Sequence, residues 1–144
     1  MLNVRDLLLW AANGSNTSED LAAMAGERPL EAMEAYAQSK LAITIWTQQI
    51  ARAHPDGPVF VAVNPGSLLA TKMVKQGFGV AGNDIGIGAD ILSRAALSAD
   101  FAEASGLYFD NDSGRFAAPH SAAADKTKAA AVVAAIEKRI AEHL

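Results

Sequence analysis

The residues best suited to chemistry are Tyr36 and Lys40, which stand four apart within residues 36–40. An apolar run follows them and predicts a helix that continues to about Ala53. Residues at this spacing lie on one face of a helix, so the Lys40 ammonium is close enough to act on the phenol. A positive charge favours phenolate and lowers the pKa of a tyrosine, as proton exchange near neutral pH requires. A half-exposed helix start with no chemistry is the alternative interpretation.

Charge and composition exclude several classes of protein. The 144 residues include 12 Lys and Arg against 16 Asp and Glu, for a formal net charge of −4, and no basic cluster occurs. This balance argues against binding to nucleic acid or to an anionic membrane surface. With no cysteine, the chain has neither a disulfide framework nor a thiolate metal site. The apolar run at 7–10 is too short to span a membrane and no export signal is recognisable, so we expect a cytoplasmic protein.

Apolar and turn-forming residues alternate along the chain in a pattern typical of an α/β domain. The predicted elements are a strand at 4–12, a capped helical turn at 16–27, a helix at 30–54, a strand at 59–63, a short amphipathic helix at 68–76, a glycine-rich mobile loop at 77–88, a helix at 89–99, a strand at 106–109, a turn at 110–114 and a helix at 122–144. This order predicts parallel strands joined by right-handed crossovers in one domain.

Several strings match functional motifs without the context that those motifs need. Residues 77–82 match G-x-G-x-x-G but follow an amphipathic helical segment rather than a buried strand, which favours a flexible loop over a dinucleotide site. Residues 110–114 resemble a calcium loop, but the glycine comes one place early and no closing glutamate follows, which predicts a turn. The three histidines stand apart without spaced partners, so no zinc site is predicted. Ser67 is not part of a Gly-x-Ser-x-Gly nucleophile elbow.

Three features in order resemble the second half of a short-chain dehydrogenase/reductase. They are the Tyr-x-x-x-Lys helix, the buried strand that ends in residues 64–67 (Asn-Pro-Gly-Ser), and Thr71 followed by the glycine-rich loop. Residues 35–42, together with Gly-Leu-Tyr-Phe at 106–109, are most similar to the retinol-dehydrogenase-like branch of that superfamily. The resemblance covers about residues 26–144 and depends on the combination rather than on any single string.

The resemblance implies a fold and a reaction. The fold is the carboxyl-terminal half of a Rossmann-type, doubly wound parallel sheet. Residues 1–144 then form one partial domain, with a strand and variable loop at 1–29 and the remaining elements at 30–144. The reaction is transfer of hydride between NAD or NADP and a carbonyl or secondary alcohol, with Tyr36 as the catalytic acid/base. Lys40 is expected to lower the pKa of Tyr36 and to hold the nicotinamide ribose.

The resemblance also assigns cofactor-binding residues on the nicotinamide side. Pro65, Gly66, Ser67 and Thr71 are expected to line the nicotinamide and its phosphate, with backbone groups left open where the strand ends. Residues 68–88 would be the substrate lid, a role that their glycine content permits.

Other parts of the family pattern do not precede Tyr36. The family begins with a glycine-rich turn, a selector for the adenosine ribose and an Asn-Ala-Gly strand end, and 35 residues are too few to contain them. The family's catalytic serine would fall at 10–12, where none stands; Ser15 and Ser18 lie beyond the strand end. We therefore expect this chain alone to lack the adenosine and pyrophosphate site and the serine. Because the selector is missing, the sequence does not distinguish NAD from NADP.

Two hypotheses about function follow from this pattern. In the first, the chain is part of an active oxidoreductase whose nucleotide-binding half comes from a second chain or has been lost from this sequence. A second chain would also cover the apolar edge of a half-sheet. In the second, it is a catalytically silent domain that acts in oligomerisation or interaction. The contact would be the apolar helix at 36–50, which commonly builds a dimer interface in the family, with Trp46 and Ile50 as suitable anchors.

Overall fold

The computed structural model describes residues 7–9 and 32–142. The strands are β1 (Leu7–Leu9), β2 (Val61–Asn64), β3 (Tyr108–Asp110) and β4 (Arg115–Ala117), and the α-helices are α1 (Ala32–Ala53), α2 (Lys72–Phe78), α3 (Ile85–Leu97) and α4 (Lys126–Ala141). Two 3₁₀ turns, Ala99–Phe101 and Ser121–Ala124, precede β3 and α4. The predicted turn at 16–27, the strand end at 10–12, the first helix residues at 30–31 and the chain end at 143–144 lie outside the described residues.

The strands form one sheet in the order β1-β2-β3-β4. β1 pairs with β2 and β2 with β3 in parallel, so that Val63 lies opposite both Leu9 and Phe109, whereas β4 pairs with β3 in antiparallel fashion. Parallel neighbours need a crossover, and helical segments follow both β1 and β2 in the chain. The prediction of a mixed α/β fold is confirmed, with β4 as a strand that the sequence analysis did not predict.

Helix α1 packs its apolar side into a cluster shared with α4. Leu41 and Ile45 have no exposed surface and lie against Val132 of α4, which is equally buried. Thr44 and Thr47 are also buried, and each hydroxyl donates to the backbone carbonyl four residues earlier, at 3.0 and 2.8 Å. These local bonds satisfy both hydroxyls, so α1 can be buried along much of its length despite its polar residues.

A second apolar cluster lies between the sheet and α3. Val61 and Val63 of β2 contact Ile91 and Ala95 of α3, and all four are buried. Alternate residues of a strand point to the same face, so Ala62 points to the other one. Helix α1 packs on β1 and β2 without sharing this cluster. Helices α1 and α3 therefore pack on the sheet in separate apolar clusters.

The predicted loop at 77–88 is partly wrong. Helix α3 begins at Ile85, four residues earlier than predicted, because the Asp84 carboxylate accepts a hydrogen bond from the Gly86 amide at 2.8 Å and caps the helix. The first glycines of the string belong to the end of α2, where Gly79 has the left-handed φ of 66° typical of a helix C-cap. The string thus begins in the last turn of a helix and does not follow a buried strand, as a dinucleotide fingerprint would.

The carboxyl-terminal part differs from the prediction in two places. The turn predicted at 110–114 is present, but the chain then returns as β4, and Phe116 pairs with Phe109 in an aromatic cluster whose ring centroids are 5.1 Å apart. The last helix begins at Lys126 rather than at 122, because the Asp125 carboxylate accepts from the amides of Thr127 and Lys128. The residues before it form a 3₁₀ turn instead.

Candidate active site

Tyr36 and Lys40 lie together on α1, as their spacing predicted. The Lys40 Nζ is over the Tyr36 ring, 5.4 Å from its centroid, which is within range for a cation–π contact. Tyr36 is half-buried, and desolvation by this burial raises the pKa of its phenol above the ordinary value. The net shift of the Tyr36 pKa is therefore opposite to the lowering expected from Lys40, because burial disfavours the phenolate. At neutral pH the Tyr36 phenol is protonated.

Helix α1, which carries this pair, packs on both β1 and β2. It ends at Ala53 and β2 begins at Val61, so this short connection brings the carboxyl end of the helix to the amino end of the strand. The amino-terminal half of α1, with Tyr36 and Lys40, therefore lies toward the carboxyl end of β2. Ligands of parallel α/β sheets bind outside the carboxyl ends of the strands.

Asn64 is the centre of the polar network at this strand end. Its side chain is buried, and its Nδ2 donates to Asp110 Oδ1 and Asp112 Oδ2, each at 2.9 Å. Its Oδ1 accepts from the amide of Gly66 at 3.0 Å. A buried amide with all these partners fixes the turn that follows β2 relative to the turn that follows β3.

Ser67 is bound by the second carboxylate of the β3–β4 turn. The Ser67 amide donates to Asp112 Oδ1 at 2.8 Å, and the Ser67 hydroxyl donates to Asp112 Oδ2 at 2.5 Å. Desolvation acts to raise the pKa of Asp112, but the hydrogen bonds from Ser67 and Asn64 outweigh it and lower the pKa below the ordinary value. Asp112 is therefore a carboxylate at neutral pH.

The backbone expected to be open at the strand end is largely occupied. The Pro65 carbonyl accepts from Asn111 Nδ2, and the Ser67 carbonyl accepts from Asn83 Nδ2, each at 3.0 Å. With the amides of Gly66 and Ser67 also engaged, the expectation of open backbone groups is wrong for these four atoms. A ligand at this point would have to use other atoms or exchange with these bonds.

Gly66 has a conformation that favours glycine. Its φ is 125°, in the region that other residues rarely adopt. A Cβ atom built there would meet Leu69, Ile87 and Asp112 only at ordinary contact distances of 3.5 to 3.9 Å. The requirement for glycine is thus one of backbone conformation, and the space in front of Gly66 is bordered by the start of α3.

Thr71 stands apart from this network. Its side-chain oxygen accepts from the Val74 amide at 3.3 Å and so caps α2. Leu69, two residues before it, forms an isolated parallel bridge with Asn83. The structure therefore joins Pro65, Gly66 and Ser67 in one hydrogen-bond network, whereas Thr71 is the N-cap of α2.

The sequence analysis missed the side chains that organise the strand end. Asp110 and Asp112 were predicted only as part of a turn, and Asn83 was placed in a loop. The signal that could have pointed to them was the density of Asp and Asn after a buried strand, since the carboxyl ends of neighbouring parallel strands lie together. Asn64 was quoted in the motif, but its role in joining two turns needs the tertiary structure.

Several apolar side chains are exposed. Between the end of β2 and the first turn of α3, Leu68, Val80, Ile85 and Ile87 are each about half exposed. Near the carboxyl-terminal end of α1, a cavity of about 510 Å³ lies between α1 and α4. Its lining includes Trp46 and Ile50, the two predicted anchors, together with Val133 and Ile140.

Two classes of site receive no support from the part of the chain that the structure covers. No three His, Asp or Glu side chains within it come together in a way that could hold a metal ion. None of the helices between residues 32 and 142 has both the length and the apolar character needed to cross a membrane.

Comparison with models of known protein families gave no match, and neither did comparison with curated proteins.

Proposed function

We propose that this chain is the carboxyl-terminal half of a short-chain dehydrogenase/reductase of the retinol-dehydrogenase-like branch, with a Rossmann-type sheet. Its reaction is the transfer of hydride between NAD or NADP and a carbonyl or secondary alcohol. The observation that carries the proposal is the Tyr36–Lys40 contact on a helix that packs on β1 and β2. The Asn-Pro-Gly-Ser motif at the end of β2 supports it further.

The raised pKa of Tyr36 suits the proton-donating direction of the reaction. A phenol that is protonated at neutral pH can give its proton to a substrate oxygen as that oxygen gains negative charge. The Lys40 ammonium then lies near the resulting phenolate and compensates its charge. The bound nucleotide supplies or takes up the hydride. Tyr36 and Lys40 supply the proton and the electrostatic support.

The strand end fits the nicotinamide side of such a nucleotide. Gly66 presents no side chain at this strand end, and its φ of 125° is a conformation that favours glycine. The half-exposed apolar residues Leu68 and Ile87 offer contact surface to an apolar substrate. In the family, the adenosine-binding elements come before the Tyr-x-x-x-Lys helix. The partner we propose is a second chain that carries such elements.

Calorimetric titration with NADH and NADPH tests the proposal. We expect the chain to bind at least one nucleotide, and we expect Lys40→Ala to weaken binding while Tyr36→Phe preserves binding but abolishes carbonyl reduction. Lys126→Ala is the matched control, because Lys126 is exposed at the start of α4 and should leave binding unchanged. A folded chain that binds neither nucleotide, alone or as an oligomer, would refute the proposal.

The second candidate function is a catalytically silent interaction module. The observation in its favour is the cavity between α1 and α4, where Trp46 and Ile50 line an apolar recess. Sedimentation analysis of Trp46→Ala tests it, with Leu97→Ala as the control, because Leu97 is 85% exposed on α3. Dissociation of an oligomer by the first variant alone, combined with no nucleotide binding, would favour the interaction module over the enzyme.

A further inference from the structure

The Asp112 side chain, in the β3–β4 turn, binds residues at and just after the end of β2. Asp112 accepts from both the amide and the hydroxyl of Ser67, at 2.8 and 2.5 Å, and from Asn64 at 2.9 Å. The next residue, Leu68, has a φ of 51°, a left-handed conformation that costs a residue other than glycine free energy. Such a conformation persists only where surrounding contacts hold it in place.

Asn83 also binds Ser67 and Leu68. The Asn83 amide donates to the Leu68 carbonyl at 2.7 Å, and its Nδ2 donates to the Ser67 carbonyl at 3.0 Å. The Ala70 amide donates back to the Asn83 carbonyl at 2.7 Å. Residues 68–84, called the lid segment below, therefore leave and rejoin the fold at one place, between Asp112 and Asn83.

We propose that Asp112 is a positioning residue for the cofactor side of the site. It holds Ser67 and the strained Leu68, and thereby sets the direction in which the lid segment leaves the sheet. Its effect on nucleotide binding rests on the proposed function, whereas its effect on the lid segment rests on the hydrogen bonds alone. Since Asp112 acts through Ser67 and not through Tyr36, its loss should raise the KM for nucleotide more than it lowers kcat.

Asp112→Ala tests the proposal, with Asp110→Ala as the matched control. Asp110, the last residue of β3, also accepts from Asn64 and from the Asp112 amide, but its second oxygen accepts from Ser113 and it has no bond to Ser67 among those of the described residues. Hydrogen exchange of the Ser67 and Asn83 amides should become faster on the order of ten-fold in Asp112→Ala, as expected for loss of a charge-assisted hydrogen bond. It should change much less in Asp110→Ala. Asp112→Asn, which keeps one acceptor oxygen, should be intermediate.

Titration of the same variants with NADH completes the test. We expect the Kd of Asp112→Ala to rise on the order of ten-fold, in step with the exchange rate of Ser67. Equal exchange rates in the two alanine variants would overturn the positioning role. Faster exchange in Asp112→Ala with an unchanged Kd for NADH would overturn the proposed effect of Asp112 on cofactor binding. The wild-type chain could also bind no nucleotide while exchange is faster in Asp112→Ala. That result would support the hold of Asp112 on the lid segment and refute the proposed function.

Discussion

Replacing Gly82 by alanine should destabilise the protein more than the same change at Gly79. Both glycines have left-handed backbone conformations, with φ values of 81° and 66°. A Cβ atom at Gly82 would lie 2.7 Å from the Ala70 Cα and 2.8 Å from the Leu68 carbonyl oxygen, whereas a Cβ at Gly79 would have no neighbour within 4 Å. Comparing the two variants therefore separates the free-energy cost of the left-handed conformation from that of a clash with the backbone.

The magnitudes follow from these distances. The left-handed conformation costs alanine about 1–2 kcal/mol at either position. Alanine also makes the unfolded chain less flexible, which stabilises both variants by about 0.4–1 kcal/mol. The free energy of unfolding of Gly79→Ala should therefore fall by roughly 1 kcal/mol. At Gly82 the clashing atoms belong to the backbone of Leu68 and Ala70, so the contact is relieved only if the backbone of the lid segment moves. Overpacking of this kind adds about 1–3 kcal/mol.

Urea unfolding followed by circular dichroism measures both effects. We expect the midpoint of Gly82→Ala to fall clearly below that of Gly79→Ala at an unchanged m-value. Exchange of the Asn83 amide, which bonds the Leu68 carbonyl, should also become faster in Gly82→Ala alone. Equal loss of stability in the two variants would refute the close approach of Gly82 to Ala70 on which the reasoning depends.

Three further predictions concern charge, packing and capping. The pKa of Asp112 is lowered in the folded state, so its contribution to stability is present above its ordinary pKa and is lost as the pH falls through the lowered value. The stability difference between wild type and Asp112→Asn should therefore shrink as the pH falls below about 5, where the unfolded carboxyl begins to be protonated, and a constant difference in thermal midpoint would contradict this. Leu41→Ala, at a side chain with no exposed surface, should cost about 2–5 kcal/mol, whereas Ile140→Ala, 45% exposed, should change the free energy of unfolding far less. Asp84→Ala removes the N-cap of α3 and should cost about 1 kcal/mol, with Asp90→Ala in the same helix as the exposed control; similar losses in both would argue against the cap.

Local patterns in the sequence were sufficient to predict several elements of the fold. The apolar run after Tyr36 predicted α1, whose described part ends one residue before the predicted end at 54. The β-branched residues at 59–63 predicted β2, which in the structure begins two residues later, at Val61, and ends one residue later, at Asn64. The alternation of strands and helices predicted a mixed α/β class. These predictions worked because helix and strand periodicity are properties of neighbouring residues.

Boundaries and caps were harder to predict. The glycines at 86 and 88 favoured a loop, but one carboxylate at Asp84 was enough to start a helix through them. β4 was missed because three residues carry too little periodicity, and pairing with β3 rather than propensity makes them a strand.

The amino-acid sequence by itself determined that Tyr36 and Lys40 share one face of a helix. Tertiary structure decided that burial raises the pKa of that tyrosine, and that the backbone after β2 is bound by side chains rather than open. Asn64 and Asp112 are 48 residues apart, and Ser67 and Asp112 are 45 apart. No local pattern encodes such a contact, because it exists only when parallel pairing of β2 with β3 brings their carboxyl ends side by side.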